Sequence, residues 1–357
     1  MIDVKLNDWK IHLERRRAIR NQVEKYKRLD MSERICDFPD DFFQKFISCI
    51  TQEDLITYPS HARYDQLIDK ISDVEEVHVN QIHLVPGSDV AIRLIFELAC
   101  CRKSEVISTN PSFPMYDVYA KMFDSKIISV DYGKDLKTNT SDFLSKLSPK
   151  TRLVIISNPS NPVGDWKSVD EIEVLCHELQ KRKILLCIDE AYVDYGPGTC
   201  KSLVENYQNI IITRTFSKGL GAAGIRVGYV ISNSAIIDAM SRLRFTFPIT
   251  NISTKFAIHL LEHSKIYQTY TRETIKERDY LAKKFKHAGF DVVNSHCNWI
   301  HFNDHCDNQR AVKILHDYDI SLKAGTVIPF DPRSNWVRLT VGPGLAETEF
   351  IKEVLES

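Results

Sequence analysis

The chain of 357 residues carries 47 Lys and Arg against 48 Asp and Glu, a formal net charge of -1. That balance argues against a polyanion-binding surface, so nucleic acid is not an expected partner. The hydrophobic content of 43% and the charged content of 27% are typical of a compact, water-soluble protein, and the length favours about two domains.

The amino-terminal residues lack the basic-then-apolar pattern of a signal peptide. No apolar run approaches the roughly 18 residues that a membrane span requires. Nine cysteines, an odd number, are mostly scattered singly, and several lie in apolar runs such as that of Cys187. These features predict a cytoplasmic protein with no membrane partner and with reduced thiols in its core.

The first elements in chain order are helical. Residues 7–29 combine many charges with apolar residues at helical spacing, which predicts a helix with a broad solvated face. The alternative, a basic helix for a membrane or a partner, is disfavoured because Glu14 and Glu24 interrupt the positive charge. Phenylalanines within 36–56 predict a short helix that packs against a larger body, and 64–72 predicts another helix.

From about residue 81 the pattern becomes a series of strands, loops and helices. Seven apolar segments predict strands, at 82–85, 105–108, 127–130, 153–157, 184–188, 210–213 and 227–231. Helices are predicted between several of them, at 90–100, 116–122, 141–147 and 169–181. Because the strands are apolar throughout, the pattern predicts an α/β fold with a mostly parallel, seven-stranded sheet covered on both faces.

After residue 232 the pattern changes. Long helices are predicted at 235–244 and 253–290, followed by short strands at 290–294, 299–302, 320–323 and 336–341 around a helix at 309–318. This part predicts a smaller α+β domain. The predicted division is an amino-terminal helical segment (1–50) that joins the small domain, a large domain (51–245) and a small carboxy-terminal domain (246–357).

Polar motifs follow the predicted strands. In a parallel α/β sheet, ligands bind beyond the carboxyl ends of the strands, so these loops are the candidate site. In chain order the motifs are P-G-S-D (86–89), N-P-S-F-P-M-Y (110–116), S-N-P-S-N-P-V-G (157–164), D-E-A-Y (189–192) and T-R-T-F-S-K-G-L-G-A-A-G-I-R-V-G (213–228).

Two of these residues indicate a cofactor. Asp189 ends a buried strand, where a carboxylate is costly unless a positive partner, such as a protonated ring nitrogen, compensates it. Lys218 offers an amine that can condense with an aldehyde. The amide groups at the helix start at Ser88, the hydroxyl of Ser217 and the guanidinium of Arg226 could hold a phosphate.

Phe113 adds a flat face for stacking. An acid for a ring nitrogen, a phosphate cradle, a stacking ring and an aldehyde-binding lysine together describe a pyridoxal 5'-phosphate site. The ordered set S-N-P-S-N-P-V-G, D-E-A-Y, T-x-S-K and G-I-R-V-G-Y resembles the class I/II aminotransferases of fold type I, and within them the histidinol-phosphate aminotransferase-like branch. The resemblance runs from about Tyr58 to Gly342, and the motifs are specific as a set rather than singly.

The resemblance implies roles around the cofactor ring. Lys218 would form the Schiff base and then move the proton between the substrate Cα and the cofactor C4'. Asp189 would pair with the pyridine nitrogen, Asn161 and Tyr192 would hydrogen-bond the phenolic oxygen, and Phe113 would stack on the ring.

It also implies how the phosphate is held. The amides of Ser88 and Asp89, the hydroxyl of Ser217 and the side chain of Arg226 match the family's phosphate ligands. Tyr58, in T-Y-P-S, matches a tyrosine that reaches the phosphate from the neighbouring subunit, which predicts a homodimer.

The residues that would contact the substrate depart from the branch. Arg338, in W-V-R-L-T-V-G, matches the arginine that binds the substrate α-carboxylate. Lys323 stands where histidinol-phosphate enzymes usually have an arginine for the substrate phosphate, so planar bidentate recognition is lost. Phe113 replaces a frequent tyrosine, and C-D-F-P-D-D-F-F stands in place of the family's substrate loop. Histidinol-phosphate specificity is therefore open.

The segment 295–306 concentrates histidines and cysteines. Its spacing fits no common zinc pattern, and the alternation of polar and apolar residues places His301 in a strand, so no metal is expected.

The leading hypothesis is a pyridoxal-phosphate-dependent aminotransferase acting on a small amino acid or amino-phosphate, with glutamate as the amino donor implied by the resemblance. One alternative is a decarboxylase of amino-acid phosphates, similar to threonine-phosphate decarboxylases, because the same site serves either reaction. A remote alternative is a non-catalytic protein that keeps the cofactor fold. A dinucleotide-binding dehydrogenase is disfavoured because no G-x-G-x-x-G follows the first strand.

Overall fold

A computed structural model describes residues 29, 32–303, 310–318, 320, 323–324 and 336–356. For residues 323–324 it describes the backbone only. The helix predicted at 7–29 therefore lies outside the described residues, except for its last position.

A large sheet forms the centre of the described chain. Its seven strands are β1 (Ile82–Val85), β2 (Glu105–Asn110), β3 (Lys126–Asp131), β4 (Thr151–Ser157), β5 (Leu185–Asp189), β6 (Ile210–Thr215) and β7 (Gly228–Ser232). They lie in the order β1-β7-β6-β5-β4-β2-β3. Strands β3, β2, β4, β5 and β6 pair in parallel, whereas β7 is antiparallel to both β6 and β1. The prediction of a mostly parallel sheet is confirmed.

The central strands are apolar on both faces because helices cover both sides. Along β4, Val154 and Ile156 belong to one hydrophobic cluster, while Leu153 and Ile155 belong to another. Alternate side chains of a strand point to opposite faces, so the two clusters are two layers of core. The rigid layers fix the carboxyl ends of the strands at one edge of the sheet.

The helices of the described chain, in order, are α1 (Asp40–Ser48), α2 (Glu53–Ile56), α3 (His61–Glu75), α4 (Ser88–Ala99), α5 (Met115–Met122), α6 (Thr140–Ser145), α7 (Val169–Lys181), α8 (Ser234–Ser241), α9 (Asn251–Glu262), α10 (Lys265–His287), α11 (Arg310–Asp317) and α12 (Glu349–Glu356). Among the described residues, none of these helices combines the length and the apolar character that crossing a bilayer would need.

The single helix predicted at 253–290 is wrong in one respect, because it is two helices, α9 and α10. His263 leaves the helical conformation, with φ -111° and ψ 47°. Its imidazole Nδ1 lies 2.8 Å from the carbonyl oxygen of His259, which is one of the acceptors that the end of α9 leaves open. Helical periodicity continues across the break, so the apolar pattern alone did not reveal it.

A second, antiparallel sheet forms the smaller body. Its strands β8 (Asp291–Val293), β9 (Trp299–Asn303), β10 (Lys323–Ala324) and β11 (Trp336–Thr340) lie in the order β10-β11-β9-β8. The cluster beneath it joins residues of α10, such as Phe285, to strand residues such as Phe302 and Leu339. The predicted α+β character of this part is confirmed.

The hydrophobic clusters bear on the predicted division at residues 50 and 245. Phe46 of α1 and Phe256 of α9 pack edge to face, 4.7 Å between ring centroids, and both belong to a cluster of the large sheet. Leu29 and Ile35 belong instead to the cluster of the small sheet. We therefore propose that α1 and α9 are part of the large body, while the division itself stays a prediction.

Asp54 ties three elements of the large body together. Its carboxylate accepts hydrogen bonds from Lys255 of α9 at 2.6 Å and from Arg63 of α3 at 2.8 Å. It also accepts from the backbone and hydroxyl of Thr51. The bond from Lys255 is the main reason that the pKa of Asp54 is held well below its ordinary value of 3.8.

The substitution Asp54→Asn is expected to lower the free energy of unfolding at pH 7 by roughly 1–3 kcal/mol, because charge-assisted hydrogen bonds are lost. A depressed folded pKa gives stability that is fully present above about pH 4 and lost as the pH falls through that folded pKa. Denaturant unfolding at several pH values should therefore show the difference from wild type shrinking in acid. The exposed Asp69→Asn is the control, and a pH-independent difference would contradict this account.

Candidate active site

A cavity of about 320 Å³ opens beyond the last residues of β4, β5 and β6. Ten of the twelve residues that the sequence analysis proposed line it: Ser88, Asp89, Phe113, Asn161, Asp189, Tyr192, Ser217, Lys218, Arg226 and Arg338. The lining also includes Glu33, Met115, Ser157, Ala191, Thr215 and Ala223, which were not singled out. The topology thus brings five separate sequence motifs to one place.

Lys218 lies in the loop after β6, and its main chain is fixed by two hydrogen bonds to its carbonyl oxygen. The Tyr195 hydroxyl donates to the Lys218 carbonyl oxygen at 3.1 Å, and the amide of Gly221 donates to the same oxygen at 2.9 Å. The next residue, Gly219, leaves no room for a Cβ because the side chain of Asp194 fills that space. The lysine side chain enters the cavity, where Nζ lies 5.5 Å from the centre of the Tyr192 ring.

Asp189, the last residue of β5, is 4% exposed. The Thr213 hydroxyl donates to Oδ1 at 2.8 Å, and the Tyr116 hydroxyl donates to Oδ2 at 2.9 Å. Burial raises the pKa of the Asp189 carboxyl, and the two hydrogen bonds oppose that effect. A carboxylate held so firmly in dry surroundings is suited to a positively charged partner.

Tyr116 and Thr213 are residues that sequence reasoning missed. Thr213 is the register partner of Asp189 in the parallel pair β5 and β6. A correct register between these two predicted strands would have pointed to it. Tyr116 is the second residue of α5 and ends the N-P-S-F-P-M-Y motif. Nothing in that motif indicates that Tyr116, rather than Phe113, contacts Asp189.

An anion cup is formed by the amides of Ser88 and Asp89, the Ser217 hydroxyl and Arg226. Helix α4 begins at Ser88, so its first amides and its dipole favour a negative charge there. Arg226 Nη1 lies 3.3 Å from Ser217 Oγ. The Asp89 carboxylate accepts a hydrogen bond from the Tyr119 hydroxyl of α5 at 2.8 Å. This bond holds the Asp89 side chain against α5, which is consistent with the backbone amide being the group that binds the anion.

Gly87 allows the anion cup to close. It precedes α4 with φ +83°, and a Cβ at this position would lie 2.6 Å from Arg226 Nη2. Only glycine combines the left-handed conformation with such a close approach.

Arg338 of β11 joins the two bodies at the cavity. It is 3% exposed, and its Nη1 donates to Asn161 Oδ1 at 3.2 Å. Its guanidinium lies 4.7 Å from the centre of the Trp299 ring, and Tyr192 packs edge to face on the same indole. Trp299 is a further residue that the sequence did not single out. Burial raises the pKa of the Tyr192 hydroxyl.

Two of the proposed residues do not line the cavity. Tyr58 is 78% exposed and stacks on Phe247, 4.6 Å between ring centroids. Lys323 pairs with Arg338 in the backbone register of β10 and β11, but its side chain lies outside the described residues.

The histidine-rich stretch also has a structural explanation where it is described. His301 lies in β9, as predicted, and its Nε2 lies 2.7 Å from the carbonyl oxygen of Pro162. The Cys297 thiol donates to the Ser160 carbonyl oxygen. The described residues contain no group of three or more His, Cys, Asp or Glu placed to hold a metal ion, and His305 and Cys306 lie outside them.

The donor set fits pyridoxal 5'-phosphate. The anion cup and the cradle at Gly87 suit a phosphate, and buried Asp189 suits a protonated ring nitrogen. The fold and this cavity define a fold type I pyridoxal-phosphate enzyme.

Residues 54–356 match the family described as aminotransferase class I and II. The chain belongs to this family, and it is a pyridoxal-phosphate-dependent aminotransferase that is similar to the histidinol-phosphate branch. The histidinol-phosphate aminotransferase of Methanocaldococcus jannaschii is 31% identical over 282 residues, 76% of this chain and 73% of that protein. The histidinol-phosphate aminotransferase of Caldanaerobacter subterraneus subsp. tengcongensis is 28% identical over 284 residues, 79% of each chain.

Among solved structures, the histidinol-phosphate aminotransferase from Sinorhizobium meliloti in complex with pyridoxal-5'-phosphate superposes with a TM-score of 0.81. It is 21% identical and covers 92% of this chain and 90% of that chain. At this identity the likeness supports the fold.

The substitution Gly87→Ala is expected to weaken cofactor binding at least about tenfold, because the new methyl group displaces Arg226 from the anion cup. Fluorescence titration of the apoprotein with pyridoxal 5'-phosphate would measure this. Gly289→Ala is the matched control, since Gly289 has φ +91° with open space around its Cβ position. Both variants place a side chain at a positive φ and so carry a conformational cost, and equal losses of affinity would contradict the steric explanation.

Proposed function

We propose that this enzyme moves an amino group between a small amino-phosphate or amino acid and a keto acid, with glutamate and 2-oxoglutarate as the second pair. The observation that carries the proposal is the joint presence of Lys218, Asp189, Arg338 and the anion cup in one cavity. The named relatives support an amino-phosphate substrate.

The residues of the large body would hold the cofactor. When bound, pyridoxal 5'-phosphate supplies an aldehyde that condenses with amines and a ring that accepts electrons. Asp189, fixed by Tyr116 and Thr213, would keep the ring nitrogen protonated. The anion cup would bind the phosphate, and Phe113 would cover one face of the ring.

The reacting proton would be handled by Lys218. Its Nζ enters the cavity on a loop whose main chain is fixed by hydrogen bonds. The amine would therefore be placed to take the proton from the substrate Cα and to deliver it to the cofactor C4'. Asn161 and Tyr192 would orient the phenolic oxygen of the ring. Tyr192 is held against Trp299, which limits the positions that its hydroxyl can adopt.

Arg338 would bind the substrate carboxylate or an equivalent anion. Its guanidinium lies over the Trp299 ring, 4.7 Å from the ring centre, and is held by Asn161, so little side-chain entropy remains to be lost on binding. Lys323 is proposed to bind the substrate phosphate, as the family resemblance implies, and its backbone is paired with that of Arg338. The cytoplasmic location stays a prediction.

The test is turnover of histidinol phosphate and of other phosphorylated amines with 2-oxoglutarate, with glutamate measured directly. Glutamate formation is expected for wild type, and Lys218→Ala is expected to lower the rate by about a hundredfold to ten-thousandfold through loss of the proton-transferring amine. The exposed Lys181→Ala should keep the wild-type rate. Carbon dioxide release without glutamate would favour the decarboxylase, which has less support because the relatives reported above are named aminotransferases.

A non-catalytic protein that keeps the fold would bind the cofactor and show no turnover with any amine tried. That outcome, together with an unchanged absorbance spectrum on adding each amine, would contradict the proposed function.

We further propose that two copies of the chain associate through the surface around Tyr58. Leu55 and Ile56 are 69% and 74% exposed, and Phe245 is 61% exposed. Large apolar side chains exposed together on a surface are typical of protein interfaces. The exposure of Tyr58 outside the cavity of its own chain supports the proposal that it reaches the phosphate of the second copy.

The substitution Ile56→Asp is expected to convert a dimer to a monomer and to weaken cofactor binding, because a buried charge opposes association. Sedimentation velocity and cofactor titration would measure the two effects. Val174→Asp, on α7 at a position that is 50% exposed, is the control. A wild-type monomer with full cofactor affinity would contradict the proposal.

A further inference from the structure

A second contact of Lys218 reaches outside the large body. Its Nζ lies 3.3 Å from the main-chain carbonyl oxygen of Ser32. The same oxygen accepts a hydrogen bond from Asn298 Nδ2 at 3.2 Å. The Ser32 carbonyl thus accepts hydrogen bonds both from the Lys218 amine and from Asn298, a side chain of the small body.

The backbone of Ser32 has an unusual conformation. It is fully buried and has φ +56°, in the left-handed region that disfavours any residue with a Cβ. Strain of this kind persists only where the surroundings hold it, and it is frequent at functional sites.

The surroundings of Ser32 supply that restraint. Its amide donates to Thr340 Oγ1 at 3.2 Å, and the Thr340 amide donates to the carbonyl of Leu29 at 3.1 Å. Three residues on, the amide of Ile35 donates to the Tyr270 hydroxyl at 3.3 Å. Gly342 has no room for a Cβ because Ile35 occupies the space, so the segment lies directly against the small body.

We infer that the Ser32 carbonyl is a positioning group that holds the protonated amine of Lys218 whenever this amine is not joined to the cofactor. A carbonyl oxygen favours the charged amine over the neutral one, since a hydrogen bond from an ammonium is the stronger of the two. Asn298 fixes the direction of the carbonyl, and the left-handed turn brings it within reach. The inference rests on the proposed role of Lys218, but it does not depend on which substrate is used.

The test measures how fast Lys218 reacts with 1-fluoro-2,4-dinitrobenzene, a reagent that does not itself titrate between pH 7 and pH 11, in the full-length protein freed of cofactor over that pH range, by mass spectrometry of its peptide. Only the neutral amine reacts, so the midpoint of the pH profile reports the protonated fraction, whereas the plateau at high pH reports accessibility. Asn298→Ala is expected to move the midpoint to lower pH and to raise the rate at pH 8, relative to the plateau, by about threefold to tenfold.

Two variants of Ser32 test the backbone directly. Ser32→Val should give the same shift as Asn298→Ala, because a β-branched residue resists the left-handed conformation. Ser32→Gly should keep the wild-type profile, because glycine adopts this conformation freely and the carbonyl is retained. These variants also decide the question if Asn298→Ala does not fold.

Lys183→Val is the matched control for backbone strain. Lys183 also has φ +56°, but it is exposed and lies between α7 and β5, away from the cavity. It should lose stability without moving the Lys218 midpoint.

An unchanged midpoint in both Asn298→Ala and Ser32→Val would overturn the inference. So would equal shifts in Ser32→Gly and Ser32→Val, or a shift in Lys183→Val. Absence of turnover with every amine would overturn the proposed function instead, and it would leave these labelling results unaffected.

Discussion

The buried carboxylate of Asp189 is the constraint around which the large body is arranged. Removing a charge from water is costly, and here the cost is only partly offset by hydrogen bonds from Tyr116 and Thr213. A positively charged ring nitrogen would complete the compensation. The parallel pairing of β5 with β6 places Thr213 beside Asp189. The same sheet therefore both buries the carboxylate and supplies one of the hydrogen bonds that stabilise it.

The fold of the large body could be predicted because its central strands are buried on both faces and therefore carry runs of apolar residues, such as Ile210, Ile211 and Ile212 of β6. The cavity could be predicted because parallel strands bring their carboxyl ends, and the motifs that follow them, to one edge. Ten proposed residues meet there. Their chemical roles rest on the residue types and on the family resemblance.

What escaped prediction depends on relations between distant parts of the chain. Trp299 touches both Arg338 and Tyr192, yet a tryptophan in a short apolar strand reads only as core. The break at His263 does not disturb the helical period. The left-handed turn at Ser32 is set by Thr340 and Asn298, which no local pattern could indicate.

The division of labour between the two bodies explains why the sequence identifies the cofactor more readily than the substrate. The anion cup, Asp189 and Lys218 lie on short motifs at the ends of strands of one sheet, so their spacing can be seen directly in the sequence. Arg338, Lys323 and Ser32 depend on the small sheet and on the amino-terminal segment, where strands are short and long-range contacts set the geometry. We therefore propose that substrate choice depends on residues at the junction of the two bodies, where Arg338 contacts Asn161.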